Sequence, residues 1–486
     1  MQLNVYLILY ELNHNKGAIN MKHLFTEKVV PVELDNPSIQ IDYDKCIKCG
    51  LCKRVCANEI GVAGYFDLEK TGDIAICINC GQCVQACPKK AITQVEDIDR
   101  VKEAINDPDK IVVFSTAPAV RVALGEEFNM EEGSYVEDKM VQSLRELGGD
   151  YVFDVTFGAD MTIMEEASEL VSRIINGNSK LPQFTSCCPS WVKFAETFYP
   201  ELIPNLSTTK SPIGIQGTVI KTYFAKKANI DPSKIVNVTI TPCTSKKYEI
   251  LRPEMNSSAK FNNVEDMRDN DIILTTKELA KWLREENIDF DALEGSKFDN
   301  ILGLGSGAGL IFGNSGGVME AAIRTVYNIL THENPHKEFL HFTPVRGLEG
   351  VKEATVTIGD KTLRLAAVQE TANARTLIEK LKAGEVEYDF VEVMTCKGGC
   401  IGGAGQPKMK ARITNEMRLK RIEGLYDKDK TIKIKCSYEN PDVVNVYKEF
   451  FKEPLSHLSH ELLHTSFESK HDMLGLDKDS NLSDIG

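Results

Sequence analysis

The chain has 486 residues, too many for one ordinary hydrophobic core, which predicts roughly two to four domains. Its hydrophobic content of 42% is that of globular proteins, and no apolar run approaches the ~20 residues of a membrane-spanning helix. The formal net charge of −14 argues against a nucleic-acid binder, which needs a basic surface, and suits a cytoplasmic protein.

Residues 1–34 read as an N-terminal extension. Its opening, "MQLNVYLILYELNHNKG", lacks a basic leading region and carries Glu11 in its short apolar stretch, so no signal peptide is expected; Met21 is an alternative start. The 14 cysteines therefore imply metal or redox chemistry rather than disulfides. Cys46, Cys49, Cys52 and Cys56 are spaced C-x2-C-x2-C-x3-C, and Cys77, Cys80, Cys83 and Cys87 repeat that spacing before Pro88. This is the bacterial ferredoxin run in duplicate, in which the fourth cysteine serves the other cluster. It predicts one 4Fe–4S cluster on Cys46, Cys49, Cys52 and Cys87, and a second on Cys77, Cys80, Cys83 and Cys56. Gly50 and Gly81 let the backbone wrap closely and aim its N–H groups at sulfur. Zinc ribbons instead use two C-x2-C pairs far apart. Ala57 stands where this run usually has proline and removes no ligand. Residues 35–95 are thus expected to form an α+β bacterial-ferredoxin-like domain that carries electrons.

Asp97 to Lys110 has a helical pattern. "IVVFSTAP" (111–118) and "DYVFDVTFG" (150–158) read as strands, and "TIMEEASELVSRII" (162–175) as a helix. "KIVNVTITPC" (234–243) and "EYDFVEVMTC" (387–396) are strands that run into cysteines. "VTIGDKTLRLAAVQ" (356–369) reads as a hairpin with Gly359–Asp360 at its turn. Strands alternating with helices predict α/β lobes with mainly parallel sheets, whose functional groups gather at the carboxyl ends of strands. Cys243 and Cys396 stand at such ends. "GLGSGAGLIFGNSGG" (303–317) lacks the acidic residue a dinucleotide loop needs, and reads better as backbone packed closely around a bulky ligand. Residues 426–470 are charged and helical, and 471–486 are expected to be a disordered tail.

Five of the six other cysteines lie in "FTSCCPSW" (184–191), "TPCTSKKYE" (241–249) and "VEVMTCKGGCIGGAGQP" (391–407): Cys187, Cys188, Cys243, Cys396 and Cys400. Behind a double ferredoxin module, these stretches resemble the three signature segments of the FeFe (iron-only) hydrogenases, from about Asp42 to Thr465. The resemblance implies a two-lobed α/β catalytic domain over 96–425, with the cofactor in the cleft. It also implies a small-subunit-like segment over 426–470 that wraps it. The implied reaction is the reversible reduction of protons to dihydrogen at an H-cluster. That centre is a 4Fe–4S cubane joined through a cysteine to a two-iron unit bearing CO, cyanide and azadithiolate. By motif position Cys188, Cys243, Cys396 and Cys400 would ligate the cubane, with Cys400 bridging to the two-iron unit.

The resemblance also accounts for Cys187 beside Cys188, a pair that could bridge each other only with strain. Cys187 matches the family's proton donor, and a thiol of unperturbed pKa about 8.5 has both protonation states within reach. Glu166, Glu169 and Arg173 fall at i, i+3 and i+7, on one helix face. With Ser207 they match the family's proton relay. Lys246 matches a lysine that hydrogen-bonds a cyanide. Pro118, Phe312, Val318 and Met394 match pocket positions, with Ala117 and Thr241 beside them. Ala119 stands where many members have serine, Thr241 replaces a methionine, and Ser190 and Ala404 replace glycines, which suggests a divergent subgroup. The implied partners are a ferredoxin or similar electron carrier and the maturation proteins that supply the two-iron unit. A hydrogenase-like iron–sulfur assembly protein is one rival, opposed by Cys187 and Lys246. A dihydrogen sensor is another, opposed by the lack of a signalling domain after Thr465. A plain electron-transfer protein would leave the second cysteine set idle.

Overall fold

A computed structural model describes residues 28–177, 180–408 and 412–475. The opening stretch, Met21 and the tail beyond 475 lie outside the described residues. In the cysteine-rich module, strand β1 (Ile39–Ile41) pairs antiparallel with β2 (Ile92–Gln94). Between them run the short helices Leu51–Asn58 and Gln82–Ala86. Each follows a glycine in the left-handed region, Gly50 at φ 78° and Gly81 at φ 68°. Val29, Val30 and Val32 pack with Ile39 and Ile92 in the module's core, so residues just before 35 belong to it.

The first lobe is a sheet of β3 (Ile111–Thr116), β4 (Tyr151–Asp154), β6 (Ile235–Thr241) and β7 (Ile272–Thr275), all parallel, in the order β4-β3-β6-β7. Both faces are buried, as helix-covered parallel sheets require. The chain leaves β3 toward β4 on one side and β6 toward β7 on the other. The topological switch point therefore lies between β3 and β6, where open α/β sheets place ligands. The second lobe orders β5 (Gln183–Phe184), β10 (Phe390–Met394), β9 (Lys361–Gln369) and β8 (Val351–Ile358). β5, β10 and β9 are parallel, and β8 returns antiparallel through the expected Gly359–Asp360 turn, with Ile358 opposite Lys361.

Three expectations differ in part from the structure. The strand expected over 150–158 ends at Asp154, and a helix runs from Val155 to Asn176, seven residues earlier than its pattern suggested. Asp154 accepts a hydrogen bond from Thr156 N at 2.7 Å and caps the helix, which settles its start more strongly than the β-branched run opposes it. The glycine-rich stretch packs closely: its Phe312 and Gly313 line a cavity, and its other glycines press against protein. A Cβ at Gly307, Gly309, Gly316 or Gly317 would overlap Asp429, Thr156, Val345 or Ile311. The start of the expected disordered tail is ordered: His471–Leu474 makes a turn, and Leu474 is buried in the cluster around Trp191. The helix Asn415–Thr431 runs unbroken through position 426. Among the described residues no helix is long and apolar enough to cross a membrane.

Candidate active centre with its electron and proton routes

Two cavities sit in the cysteine-rich module. One is lined by Cys46, Cys49, Cys52 and Cys87, the other by Cys56, Cys77, Cys80 and Cys83. The fold thus exchanges the fourth cysteines between the two runs. Backbone N–H groups point at sulfur, Val30 to Cys52 at 3.5 Å, Asn79 to Cys77 at 3.4 Å and Ala91 to Cys87 at 3.3 Å. Burial pushes the Cys56 thiol up to about 11 and Cys77 to about 12, and Cys80 and Cys83 well above the usual range. Such thiols become thiolates by exchanging their protons for a metal. Four thiols around each cavity suit a cubane. The first site is open to solvent at Cys49, whereas Cys80 and Cys83 of the second are buried.

A third cavity lies where the lobes face each other. Ala117 and Pro118 follow β3, and Pro242 and Cys243 follow β6, so one wall is the switch point of the first sheet. Cys187 comes from the end of β5, and Met394 and Cys400 from the end of β10 and its following loop, so the other wall is the matching edge of the second sheet. Thr241, Lys246 and Phe312 complete the expected lining. Val318 does not reach it and lies fully buried in the core behind Phe312. Val155, Ala159 and Ile213 also line the cavity, and no sequence motif marked them; Gly313 lines it too, from the glycine-rich stretch. Ala119 offers the cavity a methyl group, with no side-chain hydroxyl. The Thr241 hydroxyl bonds its own strand end, donating to Cys243 O at 3.0 Å. Ala404, in place of a glycine, packs against Gly81, whose missing Cβ leaves it room.

Cys188 and Cys396 lie behind this cavity. Burial raises the Cys396 thiol well above its usual range, and neighbouring Cys243, Cys188, Cys80 and Cys400 raise it further. The four expected cubane ligands are therefore mutual neighbours, next to the second ferredoxin-type site. Burial pushes Cys243 up to about 12 and raises Cys400 too. The cavity itself is apolar apart from the thiols, the Thr241 hydroxyl and the Lys246 ammonium. Burial works against that charge, but Glu249, at 2.7 Å, outweighs it and keeps Lys246 protonated. Lys246 Nζ also donates to Cys187 O at 3.1 Å. Glu249 was missed in the sequence, although its i, i+3 spacing from Lys246 was a usable signal. Four clustered thiols, dry walls and one fixed cation fit an anionic iron–sulfur cofactor.

On the far side of Cys187 the buried face of helix Val155–Asn176 carries Glu166. Burial pushes its carboxyl up to about 8, with Glu169 adding to the shift and the Ser207 hydroxyl opposing it. Its Oε2 makes no hydrogen bond within the protein. Ser207 Oγ donates to Glu169 Oε2 at 2.7 Å, and Arg173 donates to Glu169 Oε1 at 2.6 Å. Arg173 is itself buried, and its other donors go to the carbonyls of Lys180, Asn205 and Leu206. It fixes Glu169 rather than reaching open solvent. The Cys187 thiol is raised well above its usual range by burial, then by Glu166 and Cys188. The expectation that both its forms are easily reached gives way to a thiol held protonated.

Glu166→Gln is expected to cut dihydrogen turnover at least ~100-fold, the usual share of a positioned acid or base, with all ligands unchanged. The same carboxyl makes a pH signature. Unfolded, it loses its proton near 4.5; folded, near 8. The folded chain therefore holds an extra proton between those values, and stability falls as pH rises across that window. Unfolding midpoints of wild type and Glu166→Gln should converge below pH 4.5 and separate toward pH 8. Parallel profiles would contradict the buried, uncharged carboxyl.

Comparison with known proteins places this geometry. Residues 110–404 match the model for the iron-only hydrogenase large subunit, C-terminal domain; 415–470 match the iron hydrogenase small subunit, and 45–92 a 4Fe–4S dicluster domain. The chain is 41% identical to iron hydrogenase 1 of Clostridium pasteurianum, over 93% of this chain and 80% of that protein. It is 43% identical to an NADP-reducing hydrogenase subunit of Solidesulfovibrio fructosivorans, over 88% of this chain and 74% of that one. The cytosolic iron–sulfur assembly component 3 of Bos taurus is more distant, 30% identical over 76% of each chain. Among solved structures, an apo FeFe-hydrogenase from Chlamydomonas reinhardtii aligns with a TM-score of 0.66 and 37% identity, over 76% of this chain and 98% of that one.

Proposed function

The chain belongs to the iron-only (FeFe) hydrogenase family, and from that premise we propose which of its residues perform the reaction. It is an oxidoreductase that interconverts protons and electrons with dihydrogen at an H-cluster, with 4Fe–4S clusters carrying the electrons. When bound, the H-cluster supplies the iron at which electrons meet protons. Cys188, Cys243, Cys396 and Cys400 would hold it, with Cys400 linking cubane and two-iron unit. Lys246, braced by Glu249 and the Cys187 carbonyl, would orient its anionic ligands by a charge-assisted hydrogen bond. Pro118, Phe312 and Met394 keep the cavity dry, which strengthens that bond.

The observation that carries the proton assignment is Cys187 in the cavity wall with Glu166 buried behind it. Cys187 Sγ holds a proton facing the reacting centre. Glu166, titrating near 8, gives and takes protons readily near neutral pH and recharges it. Ser207 Oγ passes the proton between Glu166 and Glu169, and Arg173 keeps Glu169 in place. The test is infrared spectroscopy of anaerobically matured protein alongside dihydrogen evolution from a reduced dye. CO and cyanide stretching bands together with turnover are expected. Matured protein with neither would overturn the reading.

Lys246→Ala should weaken retention of the two-iron unit more than that of the cubane. Infrared band intensity should fall several-fold, while the cubane signal in paramagnetic resonance persists. Equal loss of both would count against a role directed at the cyanide ligands.

Electrons enter, on this reading, at the exposed Cys49 end of the 35–95 module and pass inward to the 96–425 domain, which the 426–470 segment wraps. Lys48 and Lys89 line the outer site, and Ile47 beside it is 57% exposed. A cationic, partly apolar rim on a chain of net charge −14 favours a small acidic carrier such as a ferredoxin. The double substitution Lys48→Glu and Lys89→Glu should raise the KM for a ferredoxin about tenfold at low salt and leave dye-driven turnover alone. An unchanged KM would point to another face or another carrier. Maturation proteins would deliver the two-iron unit. That none of the fourteen cysteines forms a disulfide supports a reducing, cytoplasmic location, which cell fractionation would check.

A further inference from the structure

Gln82 stands between Cys80 and Cys83 and opens the helix Gln82–Ala86 of the electron-carrying module. Its side chain leaves that module and enters the loop of the last cysteine motif. There Nε2 lies 3.1 Å from Cys396 Sγ and 3.2 Å from Gly402 O. Gly402 O is an acceptor, and so is a cysteine sulfur once it ligates iron. A carboxamide oxygen could satisfy neither, so the chemistry itself sets the amide orientation, and both N–H donors are used. Gln82 is only 8% exposed, so no solvent competes strongly for those donors.

The same interface holds other bonds. Gln85 Nε2 donates to Ala404 O at 3.0 Å and Gln406 O at 2.8 Å, and Thr244 Oγ1 donates to Asn79 O at 3.0 Å. These end on oxygen and serve docking. The bond from Gln82 ends on sulfur, 314 positions away in sequence. A donor fixed at a ligand sulfur stabilises the reduced cluster, which carries one more negative charge, more than the oxidised one. Hydrogen bonds to sulfur are among the terms that set such potentials, and a buried setting strengthens them.

We propose that Gln82 is a positioning residue of the catalytic centre: its amide donates to Cys396 Sγ and raises the reduction potential of the cubane held there. The proposal rests on the assignment of Cys396 as a cubane ligand. With both clusters bound, this contact would lie on the route by which one electron passes between them. Gln82 supplies the link, covalent to Cys83 on one side and hydrogen-bonded to Cys396 on the other. The potential of the catalytic centre thereby depends on the docking of the module that feeds it.

The test uses the full chain, produced both without maturation factors and as matured enzyme, titrated potentiometrically with paramagnetic resonance detection. Gln82→Leu keeps similar volume and removes the donor. The reduction equilibrium constant of the catalytic cubane should fall about tenfold, a midpoint lower by ~59 mV for one electron. Gln82→Asn, one methylene too short to reach, should fall likewise and stands in if the leucine variant misfolds. Gln85→Leu loosens the same interface without touching sulfur and should leave the midpoint unchanged. An unshifted midpoint in both Gln82 variants, or an equal shift in Gln85→Leu, overturns the proposal. Wild-type protein that holds only two cubanes overturns the ligand assignment beneath it instead.

Discussion

Cys187→Ser is expected to reduce dihydrogen turnover by ~10²–10⁴-fold, the range for loss of a positioned proton donor, while the infrared bands of the two-iron unit remain. The side chain lines the cavity beside Lys246 and Cys400, and its main-chain oxygen accepts the Lys246 hydrogen bond. Serine keeps that carbonyl and nearly the same volume, so cofactor seating should survive. What changes is the proton-bearing atom. A thiol of ordinary pKa about 8.5 becomes a hydroxyl that scarcely ionises, so release of its proton to the reacting centre becomes far more costly. Burial already raises the thiol, which leaves a hydroxyl no margin. Hydrogen evolution measured on samples whose infrared bands match wild type is the decisive reading. Near-normal turnover would falsify the account of why two cysteines stand side by side.

Cys188→Ser should fail differently, although it changes the next residue. Cys188 lies behind the cavity, near Cys243, Cys396 and Cys400. Replacing a soft thiolate by a hydroxyl at iron removes one of four ligands of a cubane. Protein made without maturation factors should contain ~12 irons per chain in the wild type, from three cubanes of about four irons each, and ~8 in the variant. With no cubane to accept it, the two-iron unit should not be installed, so turnover and infrared bands vanish together. A variant that keeps its full iron content but loses turnover would transfer the proton-donor role to Cys188. Iron analysis and infrared spectra on the two neighbouring substitutions therefore separate ligand from donor.

Much of this was legible because metal ligation is local. Each C-x2-C-x2-C run lines one cavity with three of its thiols, and the fourth position follows from the repeat. Cys187, Cys188, Cys243, Cys396 and Cys400 were legible as a group through the resemblance of their three stretches to the family's signature segments, and Cys243 and Cys396 also stand just past strand ends, where α/β lobes collect functional groups. The hairpin turn was legible for the same local reason. Helix Val155–Asn176 was less so: its first turns carry a β-branched, aromatic run, and only the Asp154 cap shows where the backbone turns helical.

The sequence alone determined which residue types could serve as ligands, relay groups and turn formers, because those properties reside in spacing and in the side chains themselves. Only the tertiary structure decided which face of the Glu166 helix is buried, since i, i+3, i+7 spacing reads the same toward solvent or core. That burial raises Glu166 to about 8, and no local pattern contains it, because desolvation depends on what packs over the group. The structure likewise kept Val318 out of the cavity, aimed Arg173 at backbone carbonyls as well as at Glu169, and paired Lys246 with Glu249. It also brought Gln82 onto Cys396. A contact between positions so far apart is set by how two separately folded units dock, and docking is a property of surfaces that exist only after the chain has folded.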